Sequence, residues 1–75
     1  MSKIDLEQVI SIVAKNIKVP VKDINMNSKS SDFYQWDSLA QVNIILEIEK
    51  KISKEISASK MGELTSIKSI VNHLK

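Results

Sequence analysis

Seventy-five residues without cysteine exclude a disulfide framework and any thiolate metal site, and limit the chain to one small domain, residues 1–75, built on apolar packing. An apolar share of 43% fits a globular chain, and 11 basic against 9 acidic residues leave a net charge of only +2. Every Lys+Arg position is lysine and no basic block occurs, so nucleic acid is not an expected partner; without a long apolar run or a signal-peptide pattern, a soluble, cytoplasmic, monomeric protein that does not engage membranes is expected.

Ser2-Lys3-Ile4-Asp5 reads as a capping box with Asp in the place of Glu. Leu6, Val9, Ile10, Val13 and Ile17 follow at helical spacing, which predicts an amphipathic helix over residues 3–17. Pro20 argues against continuation, and Val19 before it is biased toward extended geometry. Residues 18–37 then form a polar connection, long enough that part of it should be packed. Val19, Val21, Ile24, Met26 and Phe33 are the residues expected to pin it, with a helical turn near Val21–Ile24 started by Pro20.

Asp37 is a good N-cap, and a second helix is predicted over residues 38–52 with the Ser38 hydroxyl at its rim. Helical steps of ~100° assign Val42, Ile45, Ile48 and Ile52 to the core, with Ile44 on its edge. Leu39 and Leu46 fall together on another side, beside Asn43 and Lys50. They either touch another part of the same domain or form a docking patch next to Ser38; periodicity alone leaves both open. Ser53–Ser57 is a connection that returns Ile56 to the core, and Ala58–Leu64 is a short third helix with Met61 and Leu64 inward. Gly62 weakens that helix by ~1 kcal/mol relative to Ala. Thr65 or Ser66 caps the last helix, where Ile67, Ile70, Val71 and Leu74 repeat at i, i+3, i+4 and i+7. Burial of these four contributes roughly 1.5–3 kcal/mol each. The expected fold is all-α, a small bundle of three longer helices and one short one.

Groups for catalysis are scarce. His73 is the sole histidine and reads as a partly exposed helix residue, one glycine cannot build a phosphate loop, and no metal-ligand spacing occurs. Glu47 and Glu49, two apart on a helix, do not face each other and read as a solvated face. No catalytic residue is assigned and no enzyme is expected. Ser38 has no evident base and would be a poor nucleophile by itself, so any chemistry on it must come from another protein. A phosphate ester on a serine at a helix start meets free N–H groups and the positive end of the helix dipole.

The frame around Ser38 carries a resemblance. An amphipathic first helix precedes a loop with Val19-Pro20-Val21-Lys22-Asp23-Ile24; Asp37-Ser38-Leu39 opens a helix reading Val42-Asn43-Ile44-Ile45-Leu46-Glu47-Ile48-Glu49; Ile52, Ile56, a short helix and Thr65-Ser66-Ile67 follow. This resembles the acyl carrier proteins over essentially the whole chain. The resemblance implies a four-helix bundle with Ser38 as the attachment residue for 4′-phosphopantetheine, taken from coenzyme A by a phosphopantetheinyl transferase. It implies acyl groups carried as thioesters on the arm, and a second helix that meets the loading ligase and later biosynthetic enzymes. Leu39, Leu46, Trp36 and Glu47 are then the candidate docking residues. Trp36 either packs on the long loop and anchors it or borders the path of the arm. The chain departs from the family at Gln35 and Ser57, where glycine and proline are usual, and residues 39–56 balance Glu47, Glu49 and Glu55 against Lys50, Lys51 and Lys54. These departures resemble a specialised, standalone carrier serving a dedicated biosynthetic cluster. An aminoacyl or peptidyl carrier loaded by an adenylating ligase, and a helical interaction module never modified at Ser38, are the alternatives.

Overall fold

The computed structural model describes residues 5–74. Four α-helices lie within that span: α1 (Leu6–Ile17), α2 (Ser38–Ile52), α3 (Ala58–Met61) and α4 (Ile67–Leu74), with 3-10 turns at Val21–Asp23 and Ser30–Asp32 in the connection before α2. No helix among the described residues is long and apolar enough to cross a membrane.

The first helix starts later than the spacing predicts. Asp5 is extended and caps it: the Gln8 amide donates to Asp5 Oδ1 at 3.0 Å, and Gln8 Oε1 accepts from the Asp5 amide at 3.2 Å. A carboxylate at the cap with a glutamine three residues on closes the box from both sides, so helical geometry begins at Leu6. The cap expected at Ser2 lies outside the described residues. Helix α1 ends at Lys18 and α2 at Ser53, each in the left-handed conformation with its N–H turned back onto the preceding helical turn.

The core stripe of α2 is rotated from the expected one. Ala40, Ile44, Ile45 and Ile48 are buried and Ile52 is partly buried, whereas Val42 is 40% exposed. Placing the stripe on Val42 puts its centre roughly 60° from the observed one, on steps of ~100° per residue. The reason is α1, which makes the more extensive of α2's helix contacts and is joined to it at Glu47 through Lys15 and Asn16. Ile44 thereby moves from the edge to the middle of the core, and Val42 turns outward beside Ser38.

The connection before α2 is packed, as its apolar residues imply. Ile24 is buried, and Val19, Met26 and Phe33 lie against the core; Val21 is not a pin, standing 55% exposed on its 3-10 turn. Backbone bonds sew the connection to the start of α4: Ser30 N–H donates to Thr65 O at 2.7 Å and Ile67 N–H to Ser28 O at 3.0 Å. Serine and asparagine side chains satisfy its own turns, with the Asn25 amide on Ser28 Oγ and the Asn27 amide on Asn25 Oδ1.

The third helix is a single turn. Ser57 caps it, and it ends at Met61 before Gly62; Leu64 is buried and Met61 partly buried, but Leu64 lies past the helix. Ser66 is the cap of α4: it exchanges backbone and hydroxyl bonds with Ser69 at 3.1 Å each way. Ile67 and Ile70 are fully buried, with Val71 and Leu74 partly buried against the same core.

Candidate functional site

Ser38 is the first residue of α2, and its position is set by the residue before it. Asp37 Oδ1 accepts from the Ala40 amide at 2.9 Å, and Asp37 O accepts from Gln41 N–H at 2.9 Å. That arrangement uses the third amide of the helix and leaves those of Ser38 and Leu39 without an intrahelical partner. The Ser38 side chain is exposed, and its hydroxyl makes no hydrogen bond among the described residues. An oxyanion bonded to Ser38 Oγ would sit at the positive end of a fifteen-residue helix.

Leu39, Val42 and Leu46 share the exposed side of α2 with Ser38. They are 71%, 40% and 48% exposed, an apolar row about one residue wide and two turns long. Periodicity singled out Leu39 and Leu46; Val42 joins them because the core stripe is rotated. Glu47 is elsewhere. Its Oε2 accepts from Lys15 Nζ at 2.6 Å and its Oε1 from Asn16 Nδ2 at 3.2 Å, which places it at the seam with α1. The hydrogen bond from Lys15 is the largest cause of a pKa held below the ordinary value of 4.5, outweighing partial burial. Glu47 therefore works as a fastener between helices, a different place from the apolar row.

Trp36 is 5% exposed and part of the core. Its ring anchors the end of the connection, and Nε1–H donates to Gln41 Oε1 at 2.6 Å. The Gln41 amide nitrogen in turn donates to Met61 O at 2.9 Å and Leu64 O at 2.8 Å. Gln41 bears no catalytic group, but its sequence position carries a signal: a polar residue at a helical position between Ile48 and Ile52, inside the buried stripe. Glu49 has a similar role at the other end, its Oε2 accepting from the Ile56 amide at 2.6 Å and closing the connection after α2.

Trp36, Ser38, Gln41 and Val42 border an open groove of about 580 Å³ at the junction of α2 with α3, lined also by Ala58 and Met61 among others. Ser38 stands on its rim. No cluster of His, Asp and Glu among the described residues is arranged to hold a metal ion, and His73 lies exposed on α4. What the site offers is an accessible hydroxyl on a rigid support, a positive helix end, a partly apolar groove and an apolar row beside it. It offers no base.

The family model for the phosphopantetheine attachment site matches residues 7–74. The chain belongs to the acyl carrier protein family. An acyl carrier protein of Rickettsia bellii (strain RML369-C) is 31% identical over an alignment of 77 residues that takes in all of this chain and 90% of that protein. One from Campylobacter concisus (strain 13826) is 29% identical over 69 residues, 92% of this chain and 90% of the relative. The cofactor of this carrier is a covalently attached 4′-phosphopantetheine. The residues present suit it: the exposed Ser38 hydroxyl could provide an ester oxygen, the helix end would favour the phosphate charge, and the groove beside it is open. The all-α bundle implied by the resemblance is the fold observed.

Proposed function

We propose that Ser38 is the attachment residue and that the protein is a standalone carrier of acyl groups. The observation that supports this most is the Ser38 hydroxyl itself, exposed at the capped start of α2 and without a hydrogen-bond partner among the described residues. Its Oγ would bond to the pantetheine-side phosphorus of coenzyme A as the pyrophosphate bond breaks and adenosine 3′,5′-bisphosphate leaves, and so become an ester oxygen of the phosphodiester. Its proton must pass to a base of the phosphopantetheinyl transferase, because among the described residues no acid–base side chain bonds to Oγ. Asp37 serves as the cap that fixes the helix start. When bound, the arm supplies a thiol that holds an acyl group as a thioester. The relatives named above are called acyl carrier proteins, which favours an acyl over an aminoacyl cargo.

Docking is assigned to Leu39, Val42 and Leu46. Three exposed apolar side chains in a row beside the modified serine give a transferase, a loading ligase or a downstream enzyme an apolar foothold. The charges of residues 39–56 cancel, so this foothold, more than long-range attraction, brings partners to Ser38.

The chain has no cysteine, which makes a simple assay specific. After incubation with coenzyme A, magnesium and a promiscuous transferase, followed by removal of small molecules, a thiol reagent should find about one thiol per chain. Ser38→Ala should give none. A full thiol titre in Ser38→Ala would reject Ser38 as the attachment residue, and no titre in the wild type with several transferases would reject the carrier reading.

A further inference from the structure

We infer that Gln41 is a specificity-determining latch, which confines the carried group to the open groove and thereby selects short or polar acyl cargo over long alkyl chains. The inference rests on Ser38 as the attachment residue. Gln41 occupies the junction of α2 with α3, where a chain tethered at Ser38 would first meet the bundle. Both hydrogens of its amide are used, on Met61 O and Leu64 O, and its oxygen accepts from Trp36 Nε1. Turning the amide over would set N–H against N–H and C=O against two carbonyls, so the network itself dictates its orientation.

The latch ties three segments together: the end of the long connection, the second turn of α2, and the residues at and after the end of α3. Helix α3 is one turn long, and its contacts with α2 are few beside those between α1 and α2. An alkyl chain can pass beyond the groove only by parting α3 from α2. That would break the bonds to Met61 O and Leu64 O and leave an amide and two carbonyls facing hydrocarbon. A short acyl group, or one bearing a hydroxyl or amine, meets no such cost. It rests in the groove, whose lining includes Ser30, Asp37 and Thr65 besides the apolar Val42 and Met61.

The test loads the wild type from acyl-coenzyme A donors of two to twelve carbons with a promiscuous transferase and measures Tm and Trp36 emission for each species. A chain that enters the bundle buries apolar surface and raises Tm with its length; a chain held outside does not. The wild type should keep its Tm and its emission maximum unchanged across the series. Gln41→Met, with an unbranched apolar side chain in place of the latch, should gain Tm with chain length and shift Trp36 emission. A Tm that climbs with chain length in the wild type would overturn the latch, and so would a flat series in Gln41→Met. If Gln41→Met fails to fold, the wild-type series decides alone. A second arm does not depend on Ser38 being modified by a transferase: Ser38→Cys, the sole thiol of its chain, is alkylated with iodoacetamides bearing two to twelve carbons and compared in the same way. Absence of mass gain from the transferase reaction would then count against the attachment residue, while the Ser38→Cys series still decides the latch by the same criterion.

Discussion

Ile45 and Leu46 are neighbours in sequence and differ by one branch point, yet the structure gives them opposite surroundings. Ile45 is fully buried between the helices, and Leu46 is 48% exposed on the apolar row. Ile45→Ala removes three buried carbons and leaves a cavity, which costs about 2–5 kcal/mol. Against the 5–15 kcal/mol typical of small domains, that would bring a chain of this size close to unfolding at room temperature. Full burial of a leucine side chain is worth about 1.5–3 kcal/mol, so one that is half exposed should lose no more than about 1 kcal/mol on truncation. Urea denaturation of the two variants reads these values directly. The thiol titre after a short incubation with transferase reads the other half of the claim: Leu46→Ala should slow modification several-fold while remaining folded. A loss of 2 kcal/mol or more in Leu46→Ala, with modification unimpaired, would make Leu46 a core residue and refute the docking assignment.

Three further outcomes follow from the same geometry. Asp37→Ala removes the cap on Ala40 N–H and should cost about 1 kcal/mol while slowing modification of Ser38; Asp37→Asn, which can still accept that bond, should restore most of the stability in the same denaturation series. Glu47 has a folded pKa below the ordinary 4.5, so its ion pair with Lys15 stabilises the protein above that pH and the benefit is lost as pH falls through the folded value. Glu47→Gln should therefore be less stable than the wild type by about 0.2–1 kcal/mol at neutral pH, with the gap closing below about pH 4.5; a gap that persists undiminished to pH 3 would refute the pairing as its cause. Stopped-flow association with a cognate loading enzyme should slow only modestly from low to physiological salt, whereas a steep fall would mean that exposed charges, not the apolar row, bring the partners together.

Much of this arrangement is legible in the chain before folding. Asp37 as a cap, α2 beginning at Ser38 and ending at Ile52, and the i, i+3, i+4, i+7 pattern of α4 all follow from local rules whose signals lie within a few residues. Helix α1 starts at Leu6 because Gln8 completes a capping box on Asp5, a pairing that the apolar spacing alone does not reveal. The orientation of α2 was less legible. Its apolar residues occupy more of the helix circumference than one stripe needs, and only the placement of α1 decides that Ile44 is inside and Val42 outside. Glu47 was misplaced for the same reason, since Lys15, its partner, is 32 residues away. The Trp36–Gln41 latch was hidden because its acceptors are the backbone carbonyls of Met61 and Leu64, which have no side-chain signature. The groove beside Ser38 exists only once α3 has packed on α2.

On the proposed function one hydroxyl, that of Ser38, carries the arm, although the chain has other serines both before and after α2. Fragment-ion mass spectrometry of the transferase-treated protein tests this most directly. A single phosphopantetheine located on Ser38, on the fragment that includes Trp36-Asp37-Ser38-Leu39, is the expected result. The same mass found on any other serine, with Ser38 unmodified, would contradict it.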